Sequence, residues 1–393
     1  MTTLRYCTVE QALQDLANFI RQMNVKYKYS KPKWVTFGGS YAGTLNAWFR
    51  RKYPHMTVGA VASSAPLTHY LDYFGYSKIM EKVIRDTSAS CHNQVGGAIQ
   101  VILSKTFTAK GRNELSEKLR LAPAFNETTL TVKDIHHLMA SIYDLFQSIV
   151  QYSYDGKIRA MFDWMYAFDQ NMPLLPDSTL PNSYQDIIEP LKNTTFDDEN
   201  GNERAISAAW RAWIWISCNQ LGLMQTTSSG RNIFGSMLPL KYGIKHEFLI
   251  SAKIPFSGTK NSSFRSAFSK WIFSYYIDAC VDIFGDTLSI TTIRDNNLAL
   301  RSNYGDATDY TVANIVLPNG SLDPFRLLGT YADYPVIHQK TMLIDGSSHC
   351  ADMYPQWSGE PPALASARAE IQKELEYFIE SDFRHVGARP DKI

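Results

Sequence analysis

The feature that most constrains the fold is the run Trp34-Val-Thr-Phe-Gly-Gly-Ser40, which leads directly into the proline-free stretch Tyr41–Tyr53 before Pro54. The short apolar run predicts a buried strand, the glycines an abrupt turn, and the stretch after them a helix. A serine exposed on so tight a strand-to-helix turn needs small neighbours that tolerate unusual backbone angles, and Gly38, Gly39, Ala42 and Gly43 supply them. The pattern departs from Gly-x-Ser-x-Gly, because Ala42 stands two places after the serine and the glycine comes one later. Ala42 is small enough for close packing but resists positive φ. A second apolar strand, Val58-Gly-Ala-Val-Ala62, then ends in Ser63-Ser-Ala-Pro66. Strand, turn, helix and strand in this order make a parallel α/β unit.

A helix precedes this unit, with Leu13, Leu16, Ala17 and Ile20 on one stripe of Val9–Arg21 and Thr8 as its N-cap. From about Tyr70 to Leu300 helical periodicity replaces short strands, most clearly at Ile135, Leu138, Met139, Ile142, Phe146 and Ile149. A second stripe holds Phe264, Phe268, Trp271, Ile272 and Tyr275, and polar Asn182–Arg204 is expected to be a solvated loop. Strand character returns at Ala313–Leu317, closed by Pro318-Asn-Gly320, and at Thr341–Ile344, closed by Asp345-Gly346. A last helix, Ala363–Glu380, turns Ile371, Leu375, Phe378 and Ile379 toward the sheet. The organisation predicted is an α/β core in two parts, residues 1–69 and 301–393, with a helical insertion over 70–300.

A serine hydroxyl is a poor nucleophile until a base takes its proton. In a strand-turn-helix hydrolase the partners follow as acid and then histidine, each in a loop at the carboxyl end of a later strand. Asp323, in Asn319-Gly-Ser-Leu-Asp-Pro324, follows the first returning strand, and His349, in Asp345-Gly-Ser-Ser-His-Cys350, follows the second. Ser40 is therefore expected to attack a carbonyl, neutral His349 to take its proton, and ionised Asp323 to fix the imidazole tautomer. The Tyr41 backbone N–H is one expected oxyanion donor. The loop that usually supplies the second follows an earlier strand, and no convincing strand precedes Trp34.

Composition excludes several other classes. With 39 Lys and Arg against 38 Asp and Glu, the formal charge is +1, so no broad field recruits nucleic acid. No apolar run is long enough to span a membrane, and the residues after Met1 lack a signal-peptide pattern. The five cysteines have no metal-ligand spacing, and neither a metal nor another cofactor is expected. Sequons begin at Asn126, Asn193, Asn261 and Asn319.

Four segments together resemble one family, the lysosomal Pro-X carboxypeptidase family of serine peptidases. They are Phe37–His55, Ala60–Pro66, Asn319–Pro324 and Ser348–Met353, and the Ser-His-Cys form is similar to the thymus-specific branch. The resemblance implies an α/β-hydrolase fold with a helical cap and places the family's triad on Ser40, Asp323 and His349. It implies peptide substrates cut beside proline, either by removal of a C-terminal residue after proline or by release of N-terminal dipeptides, in lysosomes or the secretory route. It also implies a Cys218–Cys280 disulfide, glycosylation at Asn126, Asn193 and Asn261, and a possible homodimer. Gln220 stands where the family commonly carries a glutamate. Family members have further strands and a glycine-rich loop before the nucleophile, so the chain is expected to lack its first strands, to expose a sheet edge, and to be poorly stable and nearly inactive alone. A catalytically impaired product, a binding protein, and a lipase or esterase on the same scaffold are the competing expectations.

Overall fold

The computed structural model describes residues 4–152, 179–193, 203–240 and 274–381, except the side chains of 203–207. Helix α1, Val9–Lys26, begins where Thr8 Oγ1 accepts the Gln11 N–H at 3.1 Å and turns Val9, Leu13, Ala17 and Ile20 inward. Strand β1, Val35–Gly39, passes directly into α2, Ser40–Lys52, and β2 spans Gly59–Ser63. Helices α3 (Gly75–Thr87), α4 (Ala89–Lys105), α5 (Ala109–Lys118) and α6 (Val132–Gln151) follow. Two-residue strands β3, Leu121–Ala122, and β4, Leu180–Pro181, pair with each other. Helix α7 is Tyr184–Lys192, and α8, Glu203–Ile216, runs into a π-helical turn at Ser217–Leu221. Helices α9 (Tyr275–Phe284) and α10 (Ile290–Tyr304) lead back to β5 (Ile315–Gly320), β6 (Gln339–Ile344) and the final α11 (Pro362–Glu380).

The main sheet has the order β1-β2-β5-β6, and all its described pairs are parallel. Successive residues of a strand face opposite sides, so each inner strand must be apolar on both. Ala60, Ala62, Ile315 and Leu317 meet Ala47 of α2 on one side. Val61 and Val316 meet Ile371 and Phe378 of α11 on the other. Gly59 is required there, because a Cβ at that position would lie 2.1 Å from the Phe378 ring. Strands β1 and β6 are the edges of this sheet among the described residues, and Phe37 on β1 is 58% exposed. The helices after β2 have their own core, in which Tyr76, Met80, Leu138, Tyr143 and Phe234 are fully buried.

Several expectations change in detail. Asn182–Arg204 is not simply a loop: Ser183 Oγ accepts the Asp186 N–H at 3.2 Å, and α7 buries Tyr184, Ile188 and Leu191. Strand β5 runs through Pro318 because β2–β5 pairing ends at Val61–Val316; beyond it the Pro318 carbonyl accepts the Ser64 N–H at 2.7 Å, and no ladder bond needs a proline N–H. Ile379 does not join the face of α11 and is 47% exposed, since it lies about 100° round the helix from Phe378. Phe264, Phe268, Trp271 and Ile272 lie outside the described residues, as does Asn261. Asn126 and Asn193 are exposed, whereas Asn319 is buried within β5, where its side chain has no room for a glycan.

Candidate active site

The carboxyl ends of β1, β2, β5 and β6 bring four loops together. Ser40 opens α2 with φ +57, so the strain of the turn falls on the serine itself and Ala42 is spared. Gly38 is obligatory, because a Cβ there would lie 2.2 Å from the Ala42 carbonyl oxygen. At Gly43 a Cβ would approach Ser63 O to 2.8 Å, which explains a glycine one place late: it lets α2 lie against the end of β2. The Tyr41 N–H follows in the first turn of α2, at the positive end of the helix dipole. The Tyr41 ring packs against Trp213 at 5.6 Å, and burial holds its phenol well above the usual range.

Asp323 is completely buried at the end of the β5 loop. One carboxylate oxygen accepts the Phe325 N–H at 2.8 Å, and the other meets His349 Nδ1 at 2.8 Å. His349 is 2% exposed and lies between the rings of Phe325 and Tyr152, at 5.4 and 6.0 Å. Its Nε2 has no hydrogen-bond partner. The structure thus brings Asp323 and His349 together, while Ser40 is not hydrogen-bonded to the imidazole. Ser40 is nevertheless next to the histidine loop, because a Cβ on Gly39 would lie 2.9 Å from Cys350 Sγ. Burial is the largest single influence on His349 and opposes its charge, but the Asp323 carboxylate and Cys350 beside the ring together outweigh it and raise the imidazole pKa from 6.5 to about 10.

The sequence motifs contained residues whose part only the loops reveal. The His349 N–H donates to Gln151 O at 3.1 Å, and Ser348 Oγ donates to Gln151 O at 2.6 Å, so the C-terminal end of α6 anchors the histidine loop. Ser64, itself at φ +46, accepts the Cys350 N–H at 2.9 Å, and Ser63 Oγ donates to Asp352 at 2.5 Å. Burial pushes the Asp352 carboxyl up, only partly offset by that hydroxyl. The available signal was a pair of serines at the end of β2, Ser63-Ser64, and another past the Asp345-Gly346 turn that follows β6, Ser347-Ser348. Gln220 is engaged with α1: its Oε1 accepts the Val9 N–H at 2.7 Å and its Nε2 donates to Glu10 at 2.8 Å. A disulfide joins Cys218 beside it to Cys280 of α9, with Cα atoms 5.8 Å apart. Among the described residues no group of three or more His, Cys, Asp or Glu is arranged to hold a metal, and no helix is long and apolar enough to cross a membrane.

The family model described as serine carboxypeptidase S28 matches residues 1–249 and 252–371. A Caenorhabditis elegans protein named as a serine protease is 36% identical, over 97% of this chain and 68% of its own length. Human lysosomal Pro-X carboxypeptidase is 25% identical, over 98% of this chain and 71% of its own. Human thymus-specific serine protease is 24% identical, over 96% and 70%.

Proposed function

The chain belongs to the serine carboxypeptidase S28 family and is a serine peptidase, and from that premise we propose that it is an exopeptidase working through Ser40, His349 and Asp323 on peptides that carry proline beside the cleaved bond. The observation that carries the reading is the fully buried Asp323–His349 pair, whose unpartnered Nε2 lies in the loop packed against the strained Ser40 turn. The neutral imidazole takes the Ser40 proton as Oγ adds to the scissile carbonyl, and the imidazolium then protonates the leaving amine. Asp323 accepts from Nδ1–H throughout, which turns Nε2 toward the serine. The Tyr41 N–H receives the developing oxyanion, and the acyl-enzyme is released when water repeats the sequence through the same base.

In this reading residues 1–69 and 301–393 are the two parts of an α/β-hydrolase core, 70–300 is its cap, and the open edge of β1 is where further strands of such a sheet would pair. The Pro-X name of the human relative supports proline preference and a lysosomal or secreted location. The test compares blocked peptides ending in Pro-Phe with Xaa-Pro arylamides bearing a free amine, their alanine counterparts and short-chain esters. Proline peptides should be cleaved at least tenfold faster than alanine ones; equal rates, or ester cleavage alone, would remove the proposal.

The pH dependence follows from the Asp323–His349 pair. Only neutral His349 is a base, so kcat/KM should rise with pH, with a midpoint above the ordinary 6.5. Asp323→Asn should move that midpoint down, as followed by imidazole NMR. A midpoint below 6.5, or one that ignores Asp323, contradicts the pairing. Stability runs the other way: the raised pKa favours the folded state fully below pH 6.5, and this contribution is lost as pH climbs through about 10.

A further inference from the structure

Ser63 is the last residue of β2, and the parallel register sets it opposite Gly39, the residue before Ser40. Completely buried, it meets both halves of the site. Its carbonyl oxygen lies against α2, where a Cβ on Gly43 would approach it to 2.8 Å. Its hydroxyl donates to Asp352 Oδ1 at 2.5 Å, just past His349 in the chain. The next residue, Ser64, accepts the Cys350 N–H at 2.9 Å. The histidine loop also rests on the nucleophile turn itself, for a Cβ on Gly39 would lie 2.8 Å from Met353 Sδ and 2.9 Å from Cys350 Sγ.

The remainder of that loop has a separate anchor. Arg368 of α11 donates to the carbonyls of Ala351, Asp352 and Tyr354 at 3.0, 3.3 and 2.7 Å, and its charge is paired with Glu360. These three bonds go to the main chain, so the Asp352 side chain is not needed to hold the loop to α11. Its bond to Ser63 instead ties the loop to the strand beside Gly39. Burial disfavours the Asp352 carboxylate, and the Ser63 hydroxyl is the foremost contact offsetting that, ahead of Arg368 and His349. A hydroxyl-to-carboxylate bond is short and strong. It is suited to fixing a distance where a displacement of about 1 Å can cost about 100-fold in rate.

We propose that Ser63 and Asp352 are positioning residues whose hydrogen bond sets the separation between Ser40 and His349. This role rests on the Ser40–His349 chemistry proposed for the site. The experiment follows covalent labelling of Ser40 by a fluorophosphonate and cleavage of the Pro-Phe peptide. Ser63→Ala, in a strand already rich in alanine, should lower the maximal labelling rate and kcat by about tenfold or more. The half-saturating probe concentration and KM should stay within about twofold of the parent, because the bond acts on the reacting groups and not on binding. Asp352→Leu should match Ser63→Ala, and the double variant should be no worse than either, since the same bond is lost in each. Asp352→Asn keeps an acceptor oxygen and should recover most of the rate. If Ser63→Ala does not fold, the contrast between Asp352→Leu and Asp352→Asn decides. A parent chain that leaves Ser40 unlabelled overturns the chemistry and the positioning role together. The positioning role alone is overturned by a labelled parent whose folded variants keep its rate, by an effect on KM only, by multiplied losses in the double variant, or by asparagine no better than leucine.

Discussion

Replacing Ser40 by alanine is expected to lower kcat by about 10⁶-fold, and His349→Ala by about the same factor, because a nucleophile and its base act as one unit. Asp323→Asn should cost about 10⁴-fold by presenting Nδ1 with the wrong partner and leaving the wrong tautomer at Nε2. The double substitution of Ser40 and His349 should be no worse than either alone. Ser40 opens α2 while Asp323 and His349 lie in loops, and the three differ in structural weight. Asp323 also accepts the Phe325 N–H and is completely buried, so asparagine is the substitution that keeps its shape. Ser40 is only half-buried, and its loss should leave the unfolding midpoint unchanged. Steady-state kinetics with urea unfolding of each variant separates the two effects. Any variant that keeps near-normal turnover removes its residue from the machinery.

Loss of the Cys218–Cys280 bond should carry the largest effect on stability. The two residues are 62 apart in sequence, and restraining a loop of that length in the unfolded chain contributes about 4 kcal/mol in the chain-entropy model. Both sulfurs are buried, in the π-helical turn after α8 and in α9, so the bond ties two helices of the segment between β2 and β5. That turn also holds Gln220, which caps the start of α1 at Val9. Cys218→Ser with Cys280→Ser, compared with the oxidised parent by urea unfolding, should lower stability by about 3–5 kcal/mol. The loss should reach α1, seen as faster amide exchange near Val9. A change below about 1 kcal/mol would mean that packing of Ile283, Phe284 and Leu288 alone secures this region.

The parallel sheet was legible because its strands are short apolar runs with glycine and serine at their ends, and the chemistry follows from which loops those strands carry. Ser40, Asp323 and His349, the residues proposed for the chemistry, stand out singly by their positions after β1, β5 and β6. Their supports could not, because Ser64, Gln151 and Asp352 act through backbone and hydroxyl contacts between segments far apart in the chain, and no local pattern encodes such a contact. The same limit applies to Gln220: no local pattern announces that its amide is engaged with α1. Pro318 misled for a local reason, since proline ends a strand only where a ladder bond is needed. Asn182 opens a polar stretch that predicts a solvated loop, and the fold instead buries it beside a cavity.

The account rests on Ser40 being an activated nucleophile. A fluorophosphonate probe reacts only with a serine whose proton a nearby base removes, so labelling followed by peptide mapping addresses this directly. The probe should add at Ser40 alone, at a rate that increases as His349 loses its proton and that disappears in His349→Ala. Labelling elsewhere, or a folded chain that leaves Ser40 unmodified at alkaline pH, would contradict the account.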